Sequence, residues 1–199
     1  MKPTTSICGI VLAAGLSSRM GRPKMLLPWK GSTVIDQLLQ NLENSVLKNI
    51  IVVTGANRDD IEKSVSRFHF QTVFNPQFEN GSMLVSLQTG LRVLPSTCSA
   101  FFVILGDQPS LKSETINSMA NQYFLQPGKI LIPSYKMQRG HPWLLDFSFK
   151  NEILGLKEPE TLRDFLRTHE TEIAYQVMDN PEILDDMDTL EDYEKLKKE

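Results

Sequence analysis

Most strand-length runs in this sequence are apolar throughout rather than alternating, and segments with helical spacing separate them. Residues 6–13 (SICGIVLA), 49–54 (NIIVVT), 100–105 (AFFVIL) and 129–133 (KILIP) are of this kind, with a shorter run at 70–74 (FQTVF). A strand without a polar face has to be covered on both sides. Between the runs, Val34, Ile35, Leu38, Leu39 and Leu42 share one helical stripe over about 33–44. Met83, Leu84, Leu87, Leu91 and Leu94 share another over about 82–93. Further helices are expected at about 58–66, from an N-cap at Ser113 to about 125, near 144–153, at 160–168 and from about 189, with a last strand at 171–178. The alternation predicts an α/β fold in three layers: a mostly parallel, twisted, Rossmann-like sheet with helices on both faces. No internal repeat or low-complexity linker interrupts the chain, so 1–199 is expected to form a single domain.

Charge and apolar length exclude several functions. A net charge of -3 lacks the basic excess of a nucleic-acid footprint. The longest apolar runs, at 7–14 and 100–105, fall far short of the roughly 18 residues of a membrane span. The first residues do not read as a signal peptide, and Cys8 and Cys98 sit in or beside apolar runs. They read as two reduced core thiols of a cytoplasmic protein. Three scattered histidines and no paired cysteines do not make a zinc site.

In a parallel sheet, ligands bind beyond the carboxyl ends of the strands, where chain order reverses. The first run leaves that edge through Leu12, Ala13, Ala14 and Gly15 into a cationic loop holding Arg19, Gly21, Arg22 and Lys24. Small residues allow a ligand close to the backbone, whose N–H groups favour anions. Arg19 can fork two phosphate oxygens, and Lys24 can act as a point charge on a third. The spacing is that of neither a Walker loop nor GxGxxG. At the same edge, the fourth run ends in Gly106-Asp107-Gln108-Pro109. Asp107 there suits a magnesium ligand beside a phosphate site, since Mg2+ takes one or two carboxylates and completes its shell with water and phosphate. A second carboxylate is available in Asp185-Asp186-Met187-Asp188, where Asp188-Thr189 also reads as the cap of the final helix. Either Asp186 or Asp188 could serve.

LAAGLSSRMGRPKMLLP, at 12–28, resembles the LAAGxSxRMGxxK signature of nucleotidylyltransferases of the glycosyltransferase-A-like, nucleotide-diphospho-sugar transferase type. LGDQPSL (105–111) resembles their metal-aspartate turn, and RGHP (139–142) and DMDTLEDY (186–193) resemble two later motifs in the same order. Together they most resemble the molybdenum cofactor cytidylyltransferase branch, over about residues 6–193. The resemblance implies Mg2+-dependent transfer of CMP from CTP, or of another nucleotide from its NTP, to molybdenum-loaded molybdopterin, with release of pyrophosphate. It implies that Leu12, Ala13, Ala14, Gly15 and Gly106 line the nucleotide. Arg19 and Lys24 would hold its triphosphate and act in catalysis with Asp107. Asp107 and Asp188 would bind metal. Ser82, Ser86 and His141 would contact the second substrate. Where this chain has Ala14, the similar guanylyltransferases have glycine, and the methyl narrows the slot for a purine.

Two departures stand out. Gly81-Ser82-Met83-Leu84-Val85-Ser86-Leu87 is one residue longer than the family's Gly-Met-Ser-Ser-Ser-Leu stretch. The family's GDxGAR-like segment is replaced by ILGLKEPETLRDFL (153–166), which retains only Leu162-Arg163. That leaves nucleotidyl transfer to another phosphate monoester, such as a sugar phosphate, as the alternative reaction. A non-catalytic accessory protein that hands cofactor to a molybdenum hydroxylase client is the alternative outside catalysis.

Overall fold

A computed structural model describes residues 6–18, 20–79, 82–126 and 129–198. The strands in chain order are β1 (Ser6–Ala13), β2 (Pro28–Trp29), β3 (Ser32–Thr33), β4 (Asn49–Thr54), β5 (Gln71–Phe74), β6 (Cys98–Leu105), β7 (Ile130–Tyr135), β8 (Gln138–Arg139), β9 (Trp143–Asp146) and β10 (Ile173–Val177). The helices are α1 (Val34–Glu43), α2 (Arg58–Val65), α3 (Met83–Val93), α4 (Ser113–Leu125), α5 (Lys150–Gly155), α6 (Leu162–Thr168) and α7 (Leu190–Leu196). The main sheet runs β10-β7-β9-β6-β1-β4-β5, with β8 paired to β7, while β2 and β3 form a separate ribbon. β1 pairs in parallel with both β4 and β6, and chain order reverses between β1 and β6.

Successive side chains of these strands feed two cores. Val11, Val52, Phe102 and Ile104 meet Leu38 and Leu42 of α1, Ile61 of α2 and Ile116 of α4 on one face. Ile10, Val53, Phe101 and Val103 meet Leu87 and Leu91 of α3, Ile153 of α5 and Phe165 of α6 on the other. The three layers expected from runs without a polar face are therefore present. A smaller cluster of Leu27, Trp29, Val34, Met187, Tyr193 and Leu196 seats α7 on the ribbon, where the Tyr193 hydroxyl donates to Pro28 O at 2.6 Å.

Three expectations need correction. The helix expected over 144–153 begins only at Lys150, because residues 143–146 form β9, antiparallel to both β6 and β7. Trp143 and Leu145 face α3 while Leu144 faces α1 and α4, so a doubly buried strand presents an apolar run that periodicity does not separate from a helix. Ser113 is not the cap of α4. Lys112 is the capping residue and makes no side-chain cap bond, and a carboxylate distant in sequence, Glu182, accepts from its N–H at 3.3 Å. Cys8 and Cys98 are not two free thiols but a disulfide between adjacent strands β1 and β6, with Cα atoms 6.1 Å apart. A register shift at the start of the β1–β6 ladder puts both residues on the α3 face.

Among the described residues no helix is long and apolar enough to cross a membrane. Gly55, just beyond β4, marks where two loops converge on the sheet edge. A Cβ there would lie 2.6 Å from Ala14 O, 2.6 Å from Phe78 Cβ and 2.8 Å from Ala14 Cβ. Gly55→Ala is therefore expected to lower the urea midpoint of unfolding, with a cost of about 1–3 kcal/mol from overpacking.

Candidate active site

The carboxyl ends of β1 and β6 lie level: Leu12 is in register with Leu105, and the Gly106 N–H donates to Leu12 O at 3.1 Å. A cleft of about 470 Å3 opens there. Of the residues singled out in the sequence, Leu12, Ala14, Gly15, Lys24, Ser82, Ser86, Asp107, His141, Asp186 and Asp188 line it. Arg19 lies outside the described residues. Ala13 and Gly106 do not line the cleft. The Ala13 side chain packs into the core on the α1 face. A Cβ at Gly106 would meet Met25 Sδ at 2.8 Å and Leu12 O at 2.9 Å, so packing alone requires that glycine. Gly15 is the opposite case. An added Cβ would meet nothing within 4 Å, and its backbone is not left-handed, so the fold leaves open space beside it.

Lys24 enters through a loop that turns left-handed at Ser17 (φ 53°) and Gly21 (φ 61°). The Ser17 hydroxyl accepts from the Lys24 N–H at 3.1 Å, and the next residue, Met25, is buried. With its backbone pinned, Lys24 directs its ammonium to Asp107, with which it forms a short ion pair. The same Nζ lies 3.7 Å from Asp188 Oδ1 and donates to Met187 O at 3.4 Å.

Asp107, Asp186 and Asp188 each offer an oxygen, and these oxygens lie within 4.8 Å of one another. Both aspartates that the sequence offered, Asp186 and Asp188, belong to this group. Thr189, not Asp188, caps α7, closing a reciprocal box with Asp192, which leaves Asp188 to face the cleft. Desolvation, with Asp107 and Asp188 nearby, holds the Asp186 carboxyl above its ordinary range. An all-oxygen, carboxylate-rich group fits a hard divalent cation.

Opposite the carboxylates, Ser82 and Ser86 come from the start of α3. The Ser86 hydroxyl accepts from Asn75 Nδ2 at 3.1 Å, whereas the buried Ser82 Oγ has no partner among the described residues. His141 stacks on Trp143 at 4.4 Å between ring centroids. Burial pushes its imidazole down to about 4, a hydrogen bond to the Val103 backbone opposes the shift, and Arg163 adds to it. His141, Arg163, Met83 and Asp186 also border a second cavity of about 640 Å3, whose walls include Arg139, Trp143 and Arg167. Arg163 was not singled out in the sequence, although it is the retained Arg of the Leu-Arg pair. It sits on α6, which a reciprocal Thr161–Asp164 box starts and His169 terminates. His169 is clamped by Glu152 and Glu172, each at 2.7 Å. Its burial is outweighed by these two carboxylates, which raise its pKa above the ordinary value.

Residues 9–173 match the family of MobA-like NTP transferase domains. The molybdenum cofactor cytidylyltransferase of Escherichia coli K12 is 28% identical over 186 residues, covering 92% of each chain. Nicotine blue oxidoreductase of Paenarthrobacter nicotinovorans is 27% identical over 170 residues, covering 81% of each. The crystal structure of Rv0371c from Mycobacterium tuberculosis H37Rv superposes with a TM-score of 0.85 at 24% identity, over 98% of this chain and 99% of that one. Its complex with manganese superposes at 0.80 and 22% identity, over 98% and 99%. A sheet reversing between β1 and β6, with carboxylates and a lysine at its carboxyl edge, accords with this match across most of the chain. The chain belongs to the family of MobA-like NTP transferase domains and is a nucleotidyltransferase.

Proposed function

We propose that the chain transfers CMP from CTP to the terminal phosphate of molybdenum-loaded molybdopterin and releases pyrophosphate, with Mg2+ as the metal. The observation that carries this reading is the group of Asp107, Asp186 and Asp188 around Lys24, facing the open space at Gly15. The three carboxylates would hold the ion. When bound, Mg2+ neutralises phosphate charge and stabilises the charge that develops on the leaving pyrophosphate.

Lys24 and Arg19 supply positive charge to the triphosphate, and the Gly15 turn lets its oxygens approach the backbone. An acceptor phosphate is already an anion near neutral pH, so its oxygen attacks the α-phosphorus in line without a strong general base. The remaining work is positioning. Ser82, whose buried Oγ has no partner among the described residues, is proposed to turn its hydroxyl toward a substrate oxygen. The second cavity takes the acceptor, with Arg163 toward its phosphate and the His141–Trp143 plane against its ring system. Ala14 favours cytosine, because it lines the cleft and carries a methyl where glycine would leave more room. Discrimination on that scale is about 1–3 kcal/mol. The cytidylyltransferase among the relatives supports the same base. The product suits delivery to a molybdenum hydroxylase.

Pyrophosphate release in Mg2+, with CTP, GTP, ATP and UTP offered against molybdenum-loaded molybdopterin, is expected with CTP alone. Turnover with GTP would overturn the base assignment, and turnover only with a sugar phosphate would replace the acceptor. CTP binding without turnover would point to an accessory role. Asp107→Ala is expected to abolish release while circular dichroism and the melting temperature stay close to wild type; near-full turnover would remove Asp107 from the metal site.

His141 is proposed to act as a neutral group. Histidine NMR titration is expected to show His141 uncharged down to about pH 4 and His169 titrating above its ordinary value. The signs for stability are opposite. A depressed histidine leaves the unfolded state binding more protons, so the His141 contribution weakens as pH falls from about 6.5 toward 4. The His169 contribution is full below about 6.5 and is lost as pH rises through its raised value.

A further inference from the structure

Glu182 is a buried carboxylate, 5% exposed, that the reaction does not use. It lies in the one-turn helix Pro181–Leu184, four residues before Asp186. Its Oε1 accepts from the Thr115 hydroxyl at 2.5 Å and from the Lys112 N–H at 3.3 Å, and its Oε2 lies 2.9 Å from Lys112 Nζ. The two donors and the ion-pairing ammonium all stand at the start of α4, five to eight residues after Asp107. One carboxylate thus ties the segment that follows the Asp107 turn to the segment that precedes Asp186 and Asp188.

Each segment is also fixed on its far side. Asn41 Nδ2 donates to Pro109 O at 3.2 Å and to Leu111 O at 2.8 Å, pinning the Asp107 turn to α1. The His141 N–H donates to Ile183 O at 2.9 Å, and the Asp185 N–H donates back to Glu182 O at 3.3 Å. Glu182 cross-links the two pieces from beneath, while Lys24 bridges Asp107 and Asp188 within the cleft. A buried carboxylate is costly unless its oxygens are satisfied, and charge-assisted bonds to a helix start are among the stronger ways of satisfying them. Carboxylates held to within a few ångströms need such a cross-link because they repel one another.

We infer that Glu182 is a positioning residue that sets the separation of Asp107 from Asp186 and Asp188, and through it the affinity for a divalent cation. This rests on the metal reading above. The test is titration of the metal-free full chain with Mn2+, with free Mn2+ followed by electron paramagnetic resonance. Wild type is expected to bind Mn2+. Glu182→Gln is expected to bind it about tenfold more weakly, as is typical when supports of metal ligands are lost. The Mg2+ concentration for half-maximal pyrophosphate release should rise with it, while KM for CTP at saturating Mg2+ holds. Thr115→Val, which removes one donor and leaves the charge, should shift Mn2+ affinity in the same direction by less.

A folded Glu182→Gln protein with wild-type Mn2+ affinity overturns the inference and leaves the metal reading standing. Should Glu182→Gln not fold, Thr115→Val decides: weakened Mn2+ binding supports the inference, and unchanged binding overturns it. A wild-type chain that binds no Mn2+ overturns both.

Discussion

Carboxylates as close as Asp107, Asp186 and Asp188 repel one another by amounts of order 4 kcal/mol per pair at the effective dielectric of a protein surface. Lys24 offsets part of this by reaching both Asp107 and Asp188. Three negative charges against one positive leave two, the charge of a divalent cation, and the Asp186 carboxyl is held above its ordinary range by burial first and by its two acidic neighbours second. The architecture around the cleft follows from keeping the lysine there. The loop turns left-handed at Ser17 and Gly21, the Ser17 hydroxyl holds the Lys24 N–H, and Met25 buries its sulfur in the space left by Gly106. Displacing Met25 would move Lys24 with it.

Most of the layers were legible because each depends on local pattern. Fully apolar runs became interior strands, and the stripes of α1 and α3 became the helix faces that pack on them. What failed was whatever tertiary pairing decides. Residues 143–146 are strand because β6 and β7 both offer an edge antiparallel to them, which no local spacing records. The helix start at 112–113 draws on a carboxylate some seventy residues away. The Cys8–Cys98 bond depends on β1 and β6 being neighbours.

The site divides in the same way. Leu12, Ala14, Gly15 and Asp107 could be located because the ends of parallel strands are where ligands bind, and that rule needs only the strand limits. Ala13 and Gly106 show its limit: adjacent in sequence to cleft residues, they serve the packing beneath. Asp186 was legible as the alternative to Asp188, because the two flank one apolar residue. In the extended run Asp186-Met187-Asp188 the middle side chain is fully buried, which leaves the two aspartates for the opposite side. Arg163 had little signal, because its segment departs from the family pattern and only the clamp on α6 brings it to the cleft.

Two cavities share a wall. Asp107, Asp188 and Lys24 line one, Arg139 and Arg167 border the other, and Arg163 and Asp186 line both. On the proposed reaction, both substrates are polyanions and must approach within bonding distance, so each needs its charge offset from its own side. His141 lies on the border of both cavities, stacked on Trp143, and its imidazole is held neutral through the physiological range. A charged histidine there would meet the positive charge of Arg163, which already disfavours it. Kept neutral by burial, it offers an anion at the shared wall a stacked plane without adding a charge that Arg163 would repel.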